Sequence, residues 1–259
     1  MIKKYLPIIY IVVFLILIQL IFPYLIASLI LSVFNLNKKE NVEVVIAHYK
    51  EDLSWVDKYI PKNYKVYIYT KSDQIPNCKR NYVHKYLKNV GRCDHTFLYH
   101  IYSNYDNNNF SSNIIFLPGS ANLYYPFPKI SHLILILKNI GNFNFYCPNL
   151  NLNFYPFYTD FILKHISENG YISAHKNNRH KDSNLKKYKF ENFKEWTNYF
   201  NLKKIKYISY QGLFSIKSKI IFRQPKSFYL DLINHVNYDD NTLNGHFLER
   251  SWYTIFNPN

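Results

Sequence analysis

The sequence predicts an α/β domain with a mostly parallel central sheet, carried behind one membrane-spanning helix. Three observations lead there. The stretches "VEVVI", "YKVYIYT" and "NIIFL" are short, β-rich or apolar, and bounded by polar or turn-forming residues, as buried strands are. Between them lie "EDLSWVDKYI", with Leu53, Val56 and Ile60 at helical spacing, and "GRCDHTFLYHIYSNYD", with Phe97, Leu98, Ile101 and Tyr105 on one face. Strand and helix in alternation is the pattern of parallel strands joined by crossover helices. Finally, no charged residue occurs from Tyr5 to Asn37, and Leu6 to Phe34 is mostly Ile, Leu, Val and Phe.

A bilayer core takes about 20 apolar residues in a helix. The run is long enough to span, and it lacks the short apolar core and small-residue exit of a cleaved signal. Pro23 would kink it, but two halves of about 15 residues are too short for a hairpin of spans. The chain is therefore divided into a tail (1–4), an anchor (5–34), a stem (35–41) and an α/β domain (42–259). Lys3 and Lys4 flank one end of the anchor, Lys38 and Lys39 the other, so the positive-inside count is a tie. A short N-terminus before a long domain fits a type II protein facing the lumen of the ER or Golgi. Asn109-Phe110-Ser111 is a glycosylation triplet.

The formal net charge is +15, yet the lysines are scattered among abundant Asn, Ile and Tyr. That is the mark of an A/T-rich coding bias more than of a nucleic-acid surface, and nucleic acid is not expected as a partner. A basic surface can still attract phosphorylated sugars or lipid headgroups. Cys78, Cys93 and Cys147 make no disulfide framework, and no Cys/His spacing is that of a zinc site.

Later elements follow in order. "HLILILKNI" is a buried strand or helix, which periodicity does not separate. Residues 142–160 are aromatic with Asn and Pro between, and 176–189 form a charged loop. "FENFKEWTNYF" is a short helix, and "KYISYQGLFSIKSKII" a strand, a turn at Gly212 and another strand. "PKSFYLDLINHV" is an amphipathic helix opening at Pro225. A last helix spans Phe247 to Phe256, with Leu248, Trp252 and Ile255 or Phe256 inward.

In open α/β sheets, ligands bind beyond the carboxyl ends of the strands. Four places qualify: His48 and Tyr49 with Glu51 and Asp52 after the first strand; Asp73 after the second; Gly91 and Arg92 at a helix start; Gly119 and Ser120 after the third strand. Singly, each also reads as a cap, a turn or a bend. Together they suit a nucleoside diphosphate. A helix N-terminus beside Arg92 is a phosphate site, with Lys71 as a helper. Gly119 permits close backbone approach, Tyr49 can stack on a base, and Asp73 can accept from a ribose hydroxyl. Neither GxGxxG nor GxxxxGK[ST] is present, and there is no GxSxG. "FLPGS" lacks the Asp-x-Asp of metal-dependent sugar transferases, which counts against a divalent metal. Asp239-Asp240 reads as a solvated turn.

The ordered series "VVIAHYKEDLSWV", "NVGRCDHTFLYHIYSNYD", "NIIFLPGS", "GLFSIKSKIIFRQPKSFY" and "GHFLERSWYTIF" resembles the glycosyltransferase-like family called domain of unknown function 3431, over about Val42 to Phe256. Cys93 departs from that family's Gly-Arg-Glu, and Lys50 stands where related chains often carry Asn. The resemblance implies a single GT-A-like nucleotide-sugar-transferase domain, with a nucleotide-sugar donor and a glycan, protein or lipid acceptor. In such a reaction a carboxylate takes the acceptor's proton. Glu249 is the candidate base, with Arg250 as its partner or as a phosphate ligand, and His246 is the alternative base. The other expectation is an inactive binding or structural protein on the same fold.

Overall fold

The computed structural model describes residues 41–122, 129–148, 150–152, 190, 193–202, 205–240 and 242–257. The expected anchor at 5–34 and the charged loop at 176–189 lie outside these. Among the described residues no helix is long and apolar enough to cross a membrane.

β1 (Val42–His48) is buried along its whole length, and alternation sorts its side chains into two cores. Val42, Val44 and Ile46 point one way, Val45 and Ala47 the other. β2 (Lys65–Thr70) and β4 (Asn113–Pro118) repeat the device: Val66, Ile68, Ile115 and Leu117 join the first core; Tyr67, Tyr69, Ile114 and Phe116 join the second. A strand buried on both faces sits between helical layers. α1 (Ser54–Tyr59) and α3 (Lys129–Asn139) cover the first face, through Trp55, Val56, Ile130, Leu133 and Leu137. α2 (Arg92–Asn104), α5 (Lys226–Val236) and α6 (Leu243–Phe256) cover the second.

The sheet order is β3-β2-β1-β4-β8-β5. β3 (Val83–Tyr86), β2, β1 and β4 are mutually parallel; β8 (Phe214–Lys217) runs antiparallel between β4 and β5 (Phe145–Tyr146). The expected mostly parallel α/β sheet is thus present, with an antiparallel insert. β6 (Leu150–Leu152) and β7 (Tyr207–Ser209) form a separate antiparallel pair. The two strands around Gly212 therefore belong to different sheets.

"HLILILKNI" falls in helix α3. α4 (Phe193–Tyr199) buries Phe193 and Trp196. Pro225 is the cap of α5 and lies just outside it. α6 begins earlier than Phe247, because the Thr242 hydroxyl accepts from Gly245 N–H at 2.9 Å and starts the helix there. Both Ile255 and Phe256 turn inward. β3 escapes the sequence because it is a half-polar edge strand, Val-His-Lys-Tyr, largely exposed.

The second core also takes in a charged residue of β1. Glu43 is 1% exposed and receives Ser111 N–H at 3.2 Å and His100 Nε2 at 3.0 Å; His100 Nδ1 faces the Tyr69 hydroxyl at 2.8 Å. A carboxylate only accepts, so Nε2 carries the hydrogen toward it.

Candidate functional site

The carboxyl ends of β1, β2 and β4 meet the start of α2 and the first half of α6. α2 begins on two left-handed residues, Gly91 (φ 57°) and Arg92 (φ 50°). Their N–H groups donate to the carbonyls of Asp239 (2.6 Å) and Asp240 (3.0 Å) in the turn after α5. Two of the four free N–H groups of a helix start are thereby used, which narrows the anion site expected there. Asp239 Oδ1 in turn accepts Asp240 N–H at 2.6 Å. The turn thus braces the start of α2 through its main-chain carbonyls. Lys71, 7% exposed, donates to the carbonyls of Val90 (2.5 Å) and Arg92. Burial lowers its pKa to about 8, and its ammonium stitches β2 to the α2 entry.

Gly119 does admit a close approach, but of this chain's own Glu51. A Cβ on Gly119 would lie 2.7 Å from Glu51 Oε2. That carboxylate is fixed by the N–H groups of Tyr49 (2.7 Å) and Lys50 (3.2 Å). The Gly119 carbonyl accepts from Trp55 Nε1 at 3.1 Å. Ser120 Oγ accepts from Lys129 Nζ at 3.0 Å. Burial lowers the Lys129 pKa, and Arg92 lowers it further. The neighbouring Cys93, Glu249 and Glu51 act in the opposite sense. The Gln211 side-chain oxygen meets His132 Nδ1 at 3.0 Å, one turn along α3 from Lys129, and its backbone N–H meets Glu249, so Gln211 ties α3 to α6.

Glu249 Oε1 accepts Gln211 N–H at 2.8 Å, and Oε2 lies 3.8 Å from Arg250 Nη1, with the Glu249 side chain 20% exposed. Arg250 is buried, donates to the His246 carbonyl at 2.7 Å, and lies over the Tyr210 ring at 5.2 Å. His246 Nε2 stands 3.5 Å from Arg92 Nη1. The structure therefore brings Glu249, His246, Arg92, Gly119 and Ser120 to one end of the sheet. His48 is also there but buried: Nδ1 meets Thr70 Oγ1 at 3.2 Å and Nε2 meets the Glu51 carbonyl at 3.1 Å, so it braces two strand ends. Tyr49 is 40% exposed and Asp73 is exposed.

The residue missed in the sequence is Asp94. It is 2% exposed, and its Oδ1 accepts Trp252 Nε1 at 2.7 Å. Trp252 thus partners Asp94; no hydrogen bond joins it to Glu249 or Arg250. Burial, then repulsion from Glu249, raises the Asp94 pKa to about 7 against the pull of Trp252, Arg92 and Lys71. The signal was present: Asp94 shares the spacing of Phe97, Leu98 and Ile101 on the buried face of α2. His95 next to it is lowered to about 4 by burial, then by Lys71. Asp94 is thus able to keep a proton near neutrality.

The sign of the pH effect follows. Asp94 binds a proton more readily folded than unfolded, so stability contributed by this group is lost as pH rises from about 4 to 7. Asp94→Asn keeps an acceptor for Trp252. Its Tm should exceed the parent's at pH 8 by about 2–4 °C or more, the gap closing toward pH 4. Parallel Tm curves for the two proteins would refute this.

Among the described residues, no group of three or more His, Cys, Asp or Glu side chains is placed to hold a metal ion. No disulfide joins any of the three cysteines, Cys78, Cys93 and Cys147. No protein-family model matches the chain, and neither a curated protein nor a solved structure matches it.

Proposed function

We propose that the protein is a membrane-anchored glycosyltransferase, moving a sugar from a nucleotide-sugar donor to a glycan, protein or lipid acceptor. The reading rests on one observation: at the carboxyl ends of the parallel strands Arg92 Nη1 reaches His246 Nε2 at 3.5 Å, and Gln211 joins Glu249 to His132, one turn along α3 from Lys129. The likeness of its ordered segments to a glycosyltransferase-like family supports the same reading. In the proposed step the acceptor hydroxyl oxygen attacks the anomeric carbon, and its proton passes to the Glu249 carboxylate. The bond from that carbon to the donor's phosphate oxygen breaks, and the nucleoside diphosphate leaves with the electron pair. Arg92 and Lys129 supply positive charge to the leaving group. Tyr49, exposed beside Glu51, is available to stack on the base.

Glu249→Gln tests the assignment. The amide oxygen still accepts Gln211 N–H, so the fold persists, but the base is gone. Transfer should fall about 10²–10⁴-fold with Tm unchanged and donor affinity retained. A folded variant that transfers as fast as the parent removes Glu249 from the mechanism.

A second reading has a specific observation behind it. The Gly91 and Arg92 N–H groups and the Lys71 ammonium already serve the chain's own carbonyls, which suits a binding protein without turnover. Titration with nucleoside diphosphates and their sugar conjugates, with and without manganese, separates the two. Absence of any saturable binding favours the second.

A further inference from the structure

The opposite end of the sheet has a character of its own. β1 begins at Val42, and only the short stem (35–41) separates its amino end from the apolar run that closes at Phe34. Beside that end, Glu43 pairs with Lys65 and Val42 with Asn113. Asn113 pairs with Lys217, and Ser218 N–H donates to the Ser112 carbonyl at 3.0 Å. The amino ends of β2, β1 and β4 and the end of β8 thus form one edge, about 14 Å across at the usual strand spacing.

Along this edge Lys62, Lys65, Lys79, Lys219 and Arg223 are exposed. Lys62, Lys65 and Lys79 line one cleft. Its wall is held by the Arg80 guanidinium, which donates to the carbonyls of Ile60, Pro61, Lys62 and Tyr64 at 2.8–3.1 Å. The nearby acids are engaged. Asp57 accepts the N–H groups of Lys79 and Arg80 at 2.9 and 3.0 Å, and Asp106 pairs with Lys226. Between Lys219 and Arg223 stands Phe222, 40% exposed and resting on Tyr105 at 5.0 Å. An exposed aromatic ring among lysines and arginines is the composition of a surface that sits at a lipid headgroup layer.

We infer that this edge docks on an anionic bilayer surface, Phe222 entering the interface while Lys62, Lys65, Lys79, Lys219 and Arg223 meet lipid phosphates. The inference rests on the anchored reading of residues 5–34, because a stem of residues 35–41, at most about 25 Å long when fully extended, keeps this edge near the membrane. The candidate site at the other end of the strands then faces away from the bilayer. An anionic leaflet is typically the cytoplasmic one, so the strip favours the orientation opposite to type II.

The test uses the full chain carrying Phe222→Trp, reconstituted in vesicles whose acyl chains are brominated. The native Trp55, Trp196 and Trp252 are at most 3% exposed, so the parent chain serves as the blank. Quenching of the new indole is expected in phosphatidylcholine vesicles containing phosphatidylserine, and little in phosphatidylcholine alone. Lys65→Gln and Lys219→Gln should each lower the docked-to-undocked ratio about fivefold, and high salt should abolish docking. Equal quenching in both vesicles, or none in either, overturns the proposal. Flotation with phosphatidylcholine vesicles reads the anchor separately. A chain that floats without lipid-dependent quenching has the anchor but lacks the docking surface. One that floats with neither vesicle loses both. Neither outcome bears on sugar transfer by Glu249.

Discussion

Trp252→Ala should cost about 3–5 kcal/mol through lost packing alone. The indole is fully buried, stacks on Phe256 at 5.5 Å and lies 5.4 Å from Phe214. Its Nε1–H also satisfies Asp94 at 2.7 Å, so the alanine variant leaves a buried carboxyl without that donor, for about 1–3 kcal/mol more. Trp252→Phe separates the terms by keeping most of the ring volume while removing the N–H, and should lose chiefly the second amount. Denaturant midpoints at pH 5 and pH 8 read both. The Trp252→Phe penalty should grow at pH 8, where Asp94 is more often charged and more in need of a donor. A Trp252→Ala protein within about 1 kcal/mol of the parent would mean that α6 is not docked on α2 as described.

Gly91→Ala should cost about 2–5 kcal/mol, although only one methyl is added. Gly91 sits at φ 57°, where an L side chain costs about 1–2 kcal/mol. The added Cβ would lie 2.5 Å from the Val236 carbonyl oxygen and 2.8 Å from His95 Cβ. The first of these is backbone at the end of α5 and has no rotamer to escape into, so the helices must part. Parting them also strains the hydrogen bonds from Gly91 and Arg92 to Asp239 and Asp240. Loss of stability should therefore come with faster hydrogen exchange at Arg92. Unchanged exchange there, with an unchanged denaturant midpoint, would contradict the close contact of α2 and α5.

Much of this architecture was legible before the coordinates. The alternation in Val42–His48 and Asn113–Pro118 declares strands because both faces are apolar, and the spacing of Phe97, Leu98 and Ile101 declares a helix because it matches the helical period. What was not legible has a common cause. β3 pairs with β2 alone in the sheet, and its Val-His-Lys-Tyr has no continuous apolar face. β8 reads as a strand, but nothing local says that it inserts antiparallel between β4 and β5. The Gly119 motif announces a close approach without saying what approaches, and the approaching group is Glu51. Lys71 was read as a phosphate ligand from charge and position, whereas its burial and two carbonyl acceptors make it a brace. Asp94 draws no notice as a polar residue near a helix start, though its place on the apolar stripe of α2 already points inward.

The site's arrangement also sets an order of assembly. A chain is made from its amino end, and N-terminal portions begin to fold first. The segments bearing Glu51, Arg92 and Gly119 exist well before Glu249 and Trp252 have been synthesised. Until α6 arrives, Asp94 has no indole to satisfy it and the aromatic rings of Phe145 and Phe214 lack their cover. The nascent protein therefore passes through a stage with an open, apolar and charged flank, which is when a chaperone would find it. Closure of that flank and completion of the candidate site are a single event, performed by one helix.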